Sequence, residues 1–275
     1  MKKLKPSKLL FYIFIISFAL VWLIPVFFLF LTSLKSNGDL FSNSLFALPE
    51  EFKWGNFVEA WKEGNLGMYM KNSLFISLIK VPLGIFVAAL AAFGLTRLNF
   101  KWEKPVYLFI ILGMTIPFQA CLVPLVMLLN KVNLMDTHVG LILIYIGFGI
   151  PFATLILYGF FKGIPNELDE AARIDGCSDL ILFLRIILPV ALPAISTLII
   201  LDFLATWNEF LLAQIFLTSD ELKTVTTGIM SFKGEYSTNY PLMMAGVLLS
   251  VLPVLLVYVI FQKHFVNGFG GAVKG

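Results

Sequence analysis

Six long apolar runs constrain this chain more than any other feature of its sequence. They cover residues 9–31, 74–95, 106–129, 139–161, 186–205 and 242–261. A helix rises about 1.5 Å per residue, so about 20 apolar residues cross the roughly 30 Å hydrocarbon core of a bilayer. None of the runs shows the sustained apolar–polar alternation of a barrel strand. The sequence therefore predicts an all-α polytopic membrane protein with six transmembrane helices.

The overall composition agrees with lipid as the solvent of this chain. Of its 275 residues, 59% are hydrophobic and only 13% are charged. Soluble domains carry about 45–50% apolar and about 25% charged residues. The first run is too long for the apolar part of a signal peptide, and no small-residue cleavage site follows it. We therefore expect it to be a retained first span.

Basic residues predict the orientation of the chain in the membrane. Four lysines precede the first run, namely Lys2, Lys3, Lys5 and Lys8, and together with the other segments predicted on that side they make up twelve of the twenty Lys and Arg. Loops rich in Lys and Arg stay on the cytoplasmic side. We therefore expect the chain to lie in the cytoplasmic (inner) cell membrane with both termini on the cytoplasmic side. The net charge of +3 thus indicates orientation, and no nucleic acid is expected as a partner.

The cysteines and histidines indicate neither a disulfide nor a metal site. Cys121 falls in the third run and Cys177 in an inner loop, whereas His138 and His264 fall on opposite faces of the predicted membrane. We expect no metal and no cofactor in this chain.

The longest predicted outer connection, residues 32–71, contains an amphipathic stretch that reads NFVEAWKEGNLGMYM. Aromatic residues mixed with charges in this way are typical of a helix lying in the membrane interface. An ordinary amphipathic loop on the lipid surface fits equally well. Residues 1–71 are accordingly expected to form the first span and an outer segment.

Several polar residues interrupt the apolar runs. Lys80 lies within the second run, where it either faces a cavity or extends its ammonium group to the outer surface. Gln119 lies between Pro117 and Pro124 in the third run. Proline removes a backbone donor and kinks a helix, and interrupted membrane helices often lie near binding sites. A simple packing kink is the alternative for the two prolines.

The fifth run ends in a polar and aromatic cluster. Asp202 is followed by Trp207, Asn208 and Glu209. An aromatic ring beside hydrogen-bonding groups suits a sugar, so these residues and Gln119 are candidates for a translocation pathway. The alternative for Glu209 is that it simply emerges into the outer water.

The inner loop at residues 162–186 has the signals of a short surface helix. Pro165 ends the preceding helix, and Asn166 is a good N-cap for the next one. Acidic residues follow in the first turn, where the helix dipole favours them, namely Glu167, Asp169 and Glu170. Gly176 is suited to a left-handed stop, and Ser178 to capping a descent toward Pro189. Such a helix is either a docking element or an ordinary interfacial turn.

This loop resembles the EAA motif of binding-protein-dependent ABC importer permeases. That motif reads EAA, three residues, Gly, nine residues, Ile, one residue, Leu-Pro. Its positions here are Glu170, Ala171, Ala172, Gly176, Ile186, Leu188 and Pro189. From about residue 54 onward, the stretches TIPFQACLVPL, NLMDTHVGLIL, TWNEF and FVNGFGGAVKG resemble the MalG-type permease subunit of the carbohydrate branch.

The resemblance implies that this loop is a coupling helix that fits a cleft on an ATPase subunit. The coupling residues would be Glu170, Ala171, Ala172, Asp175, Gly176, Leu188 and Pro189. It further implies a second homologous permease, two ATPase subunits and an extracytoplasmic solute-binding protein that delivers a sugar. The transmembrane core would cover residues 72–263 and a cytoplasmic tail residues 264–275.

The sequence does not predict an enzyme. It lacks GxxxxGK[ST] and contains no Gly-Lys pair, so it has no loop of that kind to hold nucleotide phosphates. ATP and Mg²⁺ would then bind the separate ATPase chain. The cargo expected from the resemblance is a mono-, di- or oligosaccharide or a sugar-like polyol phosphate.

Three alternatives remain at this stage. An ion-coupled secondary transporter could use Asp202, Glu209 or Lys80 as proton or sodium sites. An ABC permease for a non-sugar solute would share the EAA loop. A receptor or scaffold would carry no solute flux.

Overall fold

The structure, a computed structural model, describes the backbone of residues 6–42, 44, 46–234 and 238–272 and the side chains of residues 8–42, 44, 46–234 and 238–262. Within these residues the chain is helical and contains no strand, apart from one isolated bridge between Lys233 and Thr238. The helices are α1 (Pro6–Ser33), α2 (Asn37–Ser42), α3 (Gly55–Lys62), α4 (Leu66–Arg97), α5 (Glu103–Leu112), α6 (Leu122–Lys131), α7 (His138–Lys162), α8 (Glu167–Ile174), α9 (Asp179–Leu182), α10 (Leu188–Val190), α11 (Leu192–Asn208), α12 (Leu211–Phe216), α13 (Val225–Gly228) and α14 (Tyr240–Ala272).

The predicted all-α membrane architecture is confirmed. Among the described residues, four helices are long and apolar enough to cross a membrane: α1, α4, α7 and α14. Two bent helix pairs bring the number of spans to six when each pair is counted once. These pairs coincide with the third and fifth apolar runs of the sequence.

The third span is broken rather than kinked. Glu103–Thr115 and Phe118–Lys131 meet at 89°. The break falls at Ile116 and Pro117, which are both extended, because proline disfavours helical geometry in the residue before it. Pro124, by contrast, is the third residue of α6. In a first turn its missing N–H has no helical partner to lose, so it does not bend the chain.

The fifth apolar run, residues 186–205, belongs to a longer helix pair that is bent rather than straight. Asp179–Val190 and Leu192–Asn208 meet at 74° around Ala191. Pro193 lies four residues after Pro189 and cannot donate the helical hydrogen bond back to it. A single π-helical turn, Phe183–Ile187, precedes the bend. Such turns are frequent at functional sites.

The second span begins earlier than the apolar run predicted. Helix α4 starts at Leu66, so Lys80 lies about 21 Å along the helix. This is deeper than the predicted run, which began at residue 74, had implied. The amphipathic outer stretch is therefore divided: α3 is a separate short helix, whereas residues 66–70 belong to the second span. Tyr69 is accordingly buried instead of lying in the membrane interface.

The chain divides into two compact units. One comprises residues 1–67 and 228–252, and the other comprises residues 68–227 and 253–275. Helix α14 passes from the first unit into the second and continues to Ala272, so residues 264–272 of the expected tail are helical. The last part of that tail, residues 273–275, lies outside the described residues.

The second unit contains a buried core around α7. Its members are Ile76, Leu129, Leu141, Ile142, Ile144, Tyr145, Ile146, Leu212, Ala213, Phe216 and Leu217. They come from α4, α6, α7 and α12 and the residue that follows it. Helix α7 is thus a central element of this unit, and about half of the residues in its apolar stretch are buried.

Candidate functional site

The surface helix that the inner loop predicted is α8, Glu167–Ile174. Its first turn holds Glu167, Asp169 and Glu170, as expected from the helix dipole. Asn166 stands at the N-cap position but makes no capping hydrogen bond with its side chain. Its Oδ1 instead accepts a hydrogen bond from Arg97 Nη1 at 3.3 Å. The beginning of α8 is therefore held by another helix.

Arg97, the last residue of α4, fastens α8 to the second span. Its Nε lies 2.7 Å from Asp169 Oδ2, and its Nη2 donates to the Ile164 carbonyl at 2.9 Å. The Arg97 and Asp169 side chains are only 5% and 12% exposed. The cation lies at a helix C-terminus and the anion in a helix first turn, where each is favoured by the local dipole. A displacement of α8 is thereby linked to a long membrane helix.

The two sides of α8 differ sharply in exposure. Asp169 and Ala172 are buried, whereas Glu170, Ala171 and Ile174 are exposed. Ile174 is 86% exposed, which is unusual for an apolar side chain on a polar helix. The sequence placed Ala172 on the docking face; its burial assigns it instead to the packing of α8 against its own chain. The outward face of α8 therefore presents the carboxylate of Glu170, the methyl group of Ala171 and the aliphatic side chain of Ile174.

Gly176 makes the predicted elbow after α8. Its φ is +76°, a left-handed conformation that L side chains rarely adopt. Nothing lies within 4 Å of the position that a Cβ would take there, so backbone conformation alone favours glycine. Asp175 is the C-cap of α8, and Leu188 and Pro189 begin α10 beyond the π turn.

A polar notch of about 420 Å³ opens beside α8. It is lined by Thr96, Arg97, Leu98, Asn99, Asn166, Asp169, Glu170, Arg173 and Asp179. Arg173 Nη2 donates to Asp179 Oδ1 at 2.6 Å, across the Gly176 elbow. With Arg97 held by Asp169, Glu170 is left as an exposed acid at the rim. Such a notch suits a basic side chain better than an acidic one.

A second cavity, of about 330 Å³, lies among the membrane helices. It is lined by Lys80, Gly113, Met114, Ile116, Phe118, Tyr145, Phe148, Gly149, Asp202, Ala205, Thr206, Glu209 and Leu212. The break in the third span contributes Ile116 and Phe118 to this wall. Of the pathway residues predicted from the sequence, the cavity brings together Asp202 and Glu209.

Lys80 and Asp202 form a buried ion pair on the cavity wall. Their side chains are 5% and 18% exposed. Lys80 therefore faces a cavity and does not extend to the surface. A Cβ on Gly149 would lie 3.1 Å from Lys80 Nζ and 3.7 Å from Asp202 Oδ1, so the absence of a side chain on α7 leaves space for the pair.

Glu209 is held in place at the other end of the cavity. Its carboxylate accepts a hydrogen bond from the Tyr145 hydroxyl at 2.5 Å. It also accepts from the backbone N–H groups of Leu212 at 2.8 Å and Ala213 at 3.0 Å, at the start of α12. Glu209 thus does not simply emerge into outer water, because its hydrogen bonds lie within the helical framework.

The other predicted pathway residues do not line this cavity. Trp207 is 2% exposed and stacks on Phe203, with 5.5 Å between ring centroids. Gln119 and Asn208 are exposed elsewhere on the second unit. Phe118 and Phe148, whose rings meet edge to face, are the aromatic residues at the cavity together with Tyr145.

Sequence reasoning missed Arg97, Asp169, Tyr145 and Gly149 as members of these sites. Arg97 had entered only the charge count and Asp169 only the helix dipole. Their separation of 72 positions gives no local signal of a contact. For Gly149, the interruption of an apolar run by GFG at residues 147–149 was the available signal.

The connection that follows α12 is tied to the start of α7 through Asp136. The Asp136 carboxylate accepts from the Ser219 hydroxyl, from Ser219 N at 3.0 Å and from Thr218 N at 2.7 Å. These hydrogen bonds, the one from the Ser219 side chain first, lower the pKa of Asp136 below its usual value of 3.8. The pKa of Asp220 is also lowered, chiefly by its hydrogen bond from Lys223.

Within the described part of the chain, no cluster of three or more His, Cys, Asp or Glu side chains could hold a metal ion. The Cys121 and Cys177 thiols are both free.

An all-helical bundle with broken spans, a surface helix on a glycine elbow and a polar cavity defines a membrane transport protein. Residues 80–270 match the family model of the binding-protein-dependent transport system inner membrane component. The chain belongs to this family, and it is a multi-pass permease subunit.

Known proteins agree with this membership over the whole chain. It is 37% identical over 276 residues to the putative ABC transporter permease protein ORF2 of Caldicellulosiruptor sp. (strain Rt8B.4), with 100% of both chains covered. It is 35% identical to the melibiose/raffinose/stachyose import permease protein MelC of Bacillus subtilis (strain 168), with 92% and 91% covered. A solved bacterial ABC transporter involved in import of the acidic polysaccharide alginate has a chain of the same fold, at a TM-score of 0.81 and 21% identity, with 96% and 100% covered.

Proposed function

We propose that this chain is a permease subunit of an ATP-driven importer that moves a sugar inward across the cytoplasmic membrane by alternating access. The observation that carries the proposal is α8, an exposed helix joined to α4 by Arg97 and to the fifth span by the Gly176 elbow. Such a helix can transmit a displacement from outside the membrane to two spans at once.

The proposed assembly contains a second homologous permease, two ATPase subunits and an extracytoplasmic solute-binding protein. Both termini and α8 would lie on the cytoplasmic side, as the positive-inside rule favours. ATP and Mg²⁺ would bind the ATPase subunits, and this chain would have no catalytic role. Closure of the ATPase dimer would move α8, switch the spans toward the outside and receive sugar from the binding protein; hydrolysis would reset them.

The coupling role is assigned to the predicted residues around α8. Glu170 and Ala171 would contact the ATPase cleft, and Ile174 would join them because it lies on the same exposed face. Ala172 would hold α8 against its own chain. Asp175, Gly176, Leu188 and Pro189 would shape the elbow and the re-entry into the membrane.

Sugar is proposed as the cargo because the import permease MelC is named for melibiose, raffinose and stachyose. The membrane cavity supports the choice with carboxylates, hydroxyls and aromatic rings in one wall. Asp202 and Glu209 are proposed as pathway residues. Gln119, Trp207 and Asn208 stay predictions, to be tested by alanine substitution and sugar uptake at matched expression.

The test is purification of this chain with its membrane partners. Recovery of a second permease and an ATPase, with ATP hydrolysis stimulated by a sugar-loaded binding protein, is expected. Isolation as a homo-oligomer with no ATPase would overturn the proposal. In the intact assembly, Gly176→Asp should uncouple hydrolysis from uptake, because a side chain at φ +76° strains the elbow. Normal transport by that variant would contradict the coupling assignment.

An ion-coupled transporter is the second candidate, favoured only by the buried charges of Lys80, Asp202 and Glu209. It predicts uptake that survives ATP depletion and collapses with a protonophore. The importer predicts the reverse, so the two experiments on the same cells distinguish them.

A further inference from the structure

The membrane cavity has a chemical character that bears on which sugars can cross. Its polar groups are three formal charges and two hydroxyls: Lys80, Asp202, Glu209, Tyr145 and Thr206. Its volume of about 330 Å³ is within the range of small-molecule sites, about 300–1,000 Å³. Because the cavity lies among transmembrane helices, each of these charges is costly unless it is paired or used.

The charges do not cancel. Lys80 and Asp202 neutralise each other as an ion pair. Glu209 receives hydrogen bonds from Tyr145 and from two backbone N–H groups, and it forms no ion pair with any cation in the described part of the chain. With both carboxylates ionised, the side chains that line the cavity carry a net formal charge of −1. The cavity therefore repels an anion and accepts a neutral solute.

The same groups are well placed to hold a saccharide. Asp202 and Glu209 have further acceptor positions for sugar hydroxyls, since a carboxylate has about four lone-pair sites. Phe118 and Phe148 lie in the same wall, with 6.2 Å between their ring centroids. A pyranose ring has apolar C–H faces that pack on aromatic rings, while its rim is polar.

We infer that the cavity around Lys80, Asp202 and Glu209 is a sugar subsite within the membrane that favours neutral over anionic saccharides. This rests on the proposed function and adds a selectivity step after the binding protein. Uronates, sulfonated sugars and polyol phosphates would be disfavoured by Glu209, because an unpaired like charge raises the free energy of the bound state in a desolvated site.

The experiment uses the purified assembly of this chain with its partner permease and ATPase, in nanodiscs without binding protein. Saturation-transfer NMR is recorded with maltotriose, cellotriose and raffinose as neutral probes and trigalacturonate as the anionic probe. The neutral probes should give signals, with the uronate weaker by about tenfold or more. Glu209→Gln should bring the uronate within about threefold of the neutral probes while it weakens the neutral signals.

Two further variants keep the result interpretable. Asp202→Asn should also weaken the exclusion of the uronate, because it removes one negative charge from the cavity and frees Lys80 from its counter-ion. If Glu209→Gln does not assemble, the Asp202→Asn variant still tests the site. Removing one negative charge from the cavity should raise its ratio of uronate binding to neutral-sugar binding. Glu221→Gln makes the same charge change at an exposed position outside the cavity and should leave every ratio unchanged.

Specific outcomes would overturn the inference. Equal binding of trigalacturonate and the neutral probes, or a ratio unmoved by both cavity variants, would do so. If no probe binds while a sugar-loaded binding protein still stimulates ATP hydrolysis, the subsite is wrong and the importer stands. If no sugar-loaded binding protein stimulates hydrolysis in the wild-type assembly, the proposed function itself fails.

Discussion

Arg97 and Asp169 are 72 positions apart in the chain, yet Arg97 Nε lies 2.7 Å from Asp169 Oδ2. This pair joins the end of a span to the surface helix α8. Because Arg97 also holds the Ile164 carbonyl and the Asn166 side chain, its three contacts fix the entry of the chain into α8. The contact gives α8 a defined mechanical connection to α4.

Arg97→Gln should therefore loosen α8 and impair coupling. Removing one partner of a buried ion pair costs about 3–5 kcal/mol, since the other charge stays buried. Transport per ATP hydrolysed should fall several-fold, and hydrogen exchange of residues 165–176 should accelerate. Lys53→Gln is the control because its pair with Glu51 is exposed and worth about 0–1 kcal/mol. Unchanged exchange in Arg97→Gln would contradict the role given to this pair.

Substitutions of Gly176 should rank by their tolerance of a left-handed backbone. A Cβ there meets nothing within 4 Å, so the cost arises from φ +76° alone; it is about 1–2 kcal/mol for an ordinary residue. Asn adopts this conformation more readily than Ala or Val. Coupling should therefore decrease in the order Gly, Asn, Ala, Val.

Uptake per ATP hydrolysed in proteoliposomes measures this ranking. Gly159→Ala is the matched control, because its added Cβ also meets nothing within 4 Å and its φ is not left-handed. Equal coupling by the Asn and Val variants would show that the elbow conformation is unimportant.

The parts of this fold that depend on local sequence could be predicted, and those that depend on distant contacts could not. Apolar length located the four long helices and the two bent helix pairs among the described residues, and Gly176 predicted the elbow after α8. The bend at Ala191 was missed because apolarity does not reveal a break; the spacing of Pro189 and Pro193 was its only signal. Lys80 was recognised as unusual, but nothing in the sequence connects it to Asp202, 122 positions away.

Aromatic residues show the same limit within the candidate site. The sequence favoured Trp207 as a sugar platform because it lies beside Asn208 and Glu209. Helical geometry directs it against Phe203, one turn earlier, where it is buried. The rings that do line the cavity, Phe118 and Phe148, come from other segments of the chain. Neighbours in sequence are thus poor guides to neighbours across a helix bundle.

The connection held by Asp136 should respond to acid. A lowered pKa in the folded state means that the ionised carboxylate stabilises the fold above its unfolded value of 3.8, and that this contribution is lost as the pH falls through the lowered pKa. Wild-type protein should therefore lose protection of residues 217–219 as the pH falls below 3.8. Asp136→Asn has no carboxyl group at this position and should show no such loss over the same acidic range.

Hydrogen exchange at residues 217–219, quenched from a series of acidic buffers, checks this expectation. Asn suits the left-handed backbone at position 136, where φ is +57°, so the substitution changes the charge without straining the turn. Glu221→Gln is the control, because Glu221 is exposed. A wild-type profile in Asp136→Asn would assign the acid response to another group.

The Lys80–Asp202 pair should matter for function more than for stability, and comparing a single variant with a double variant can separate the two. Asp202→Asn leaves Lys80 buried without its counter-ion and should lower stability by about 3–5 kcal/mol. Replacing both partners, as in Lys80→Met with Asp202→Leu, removes both buried charges and should restore most of that loss. Transport should stay at least about tenfold reduced, because the cavity loses one of the two carboxylates that it offers to sugar hydroxyls. Thermal unfolding of the nanodisc-bound assembly and sugar uptake in proteoliposomes give the two readouts. If the double variant transports normally, the pair is a structural feature and takes no part in the passage of sugar.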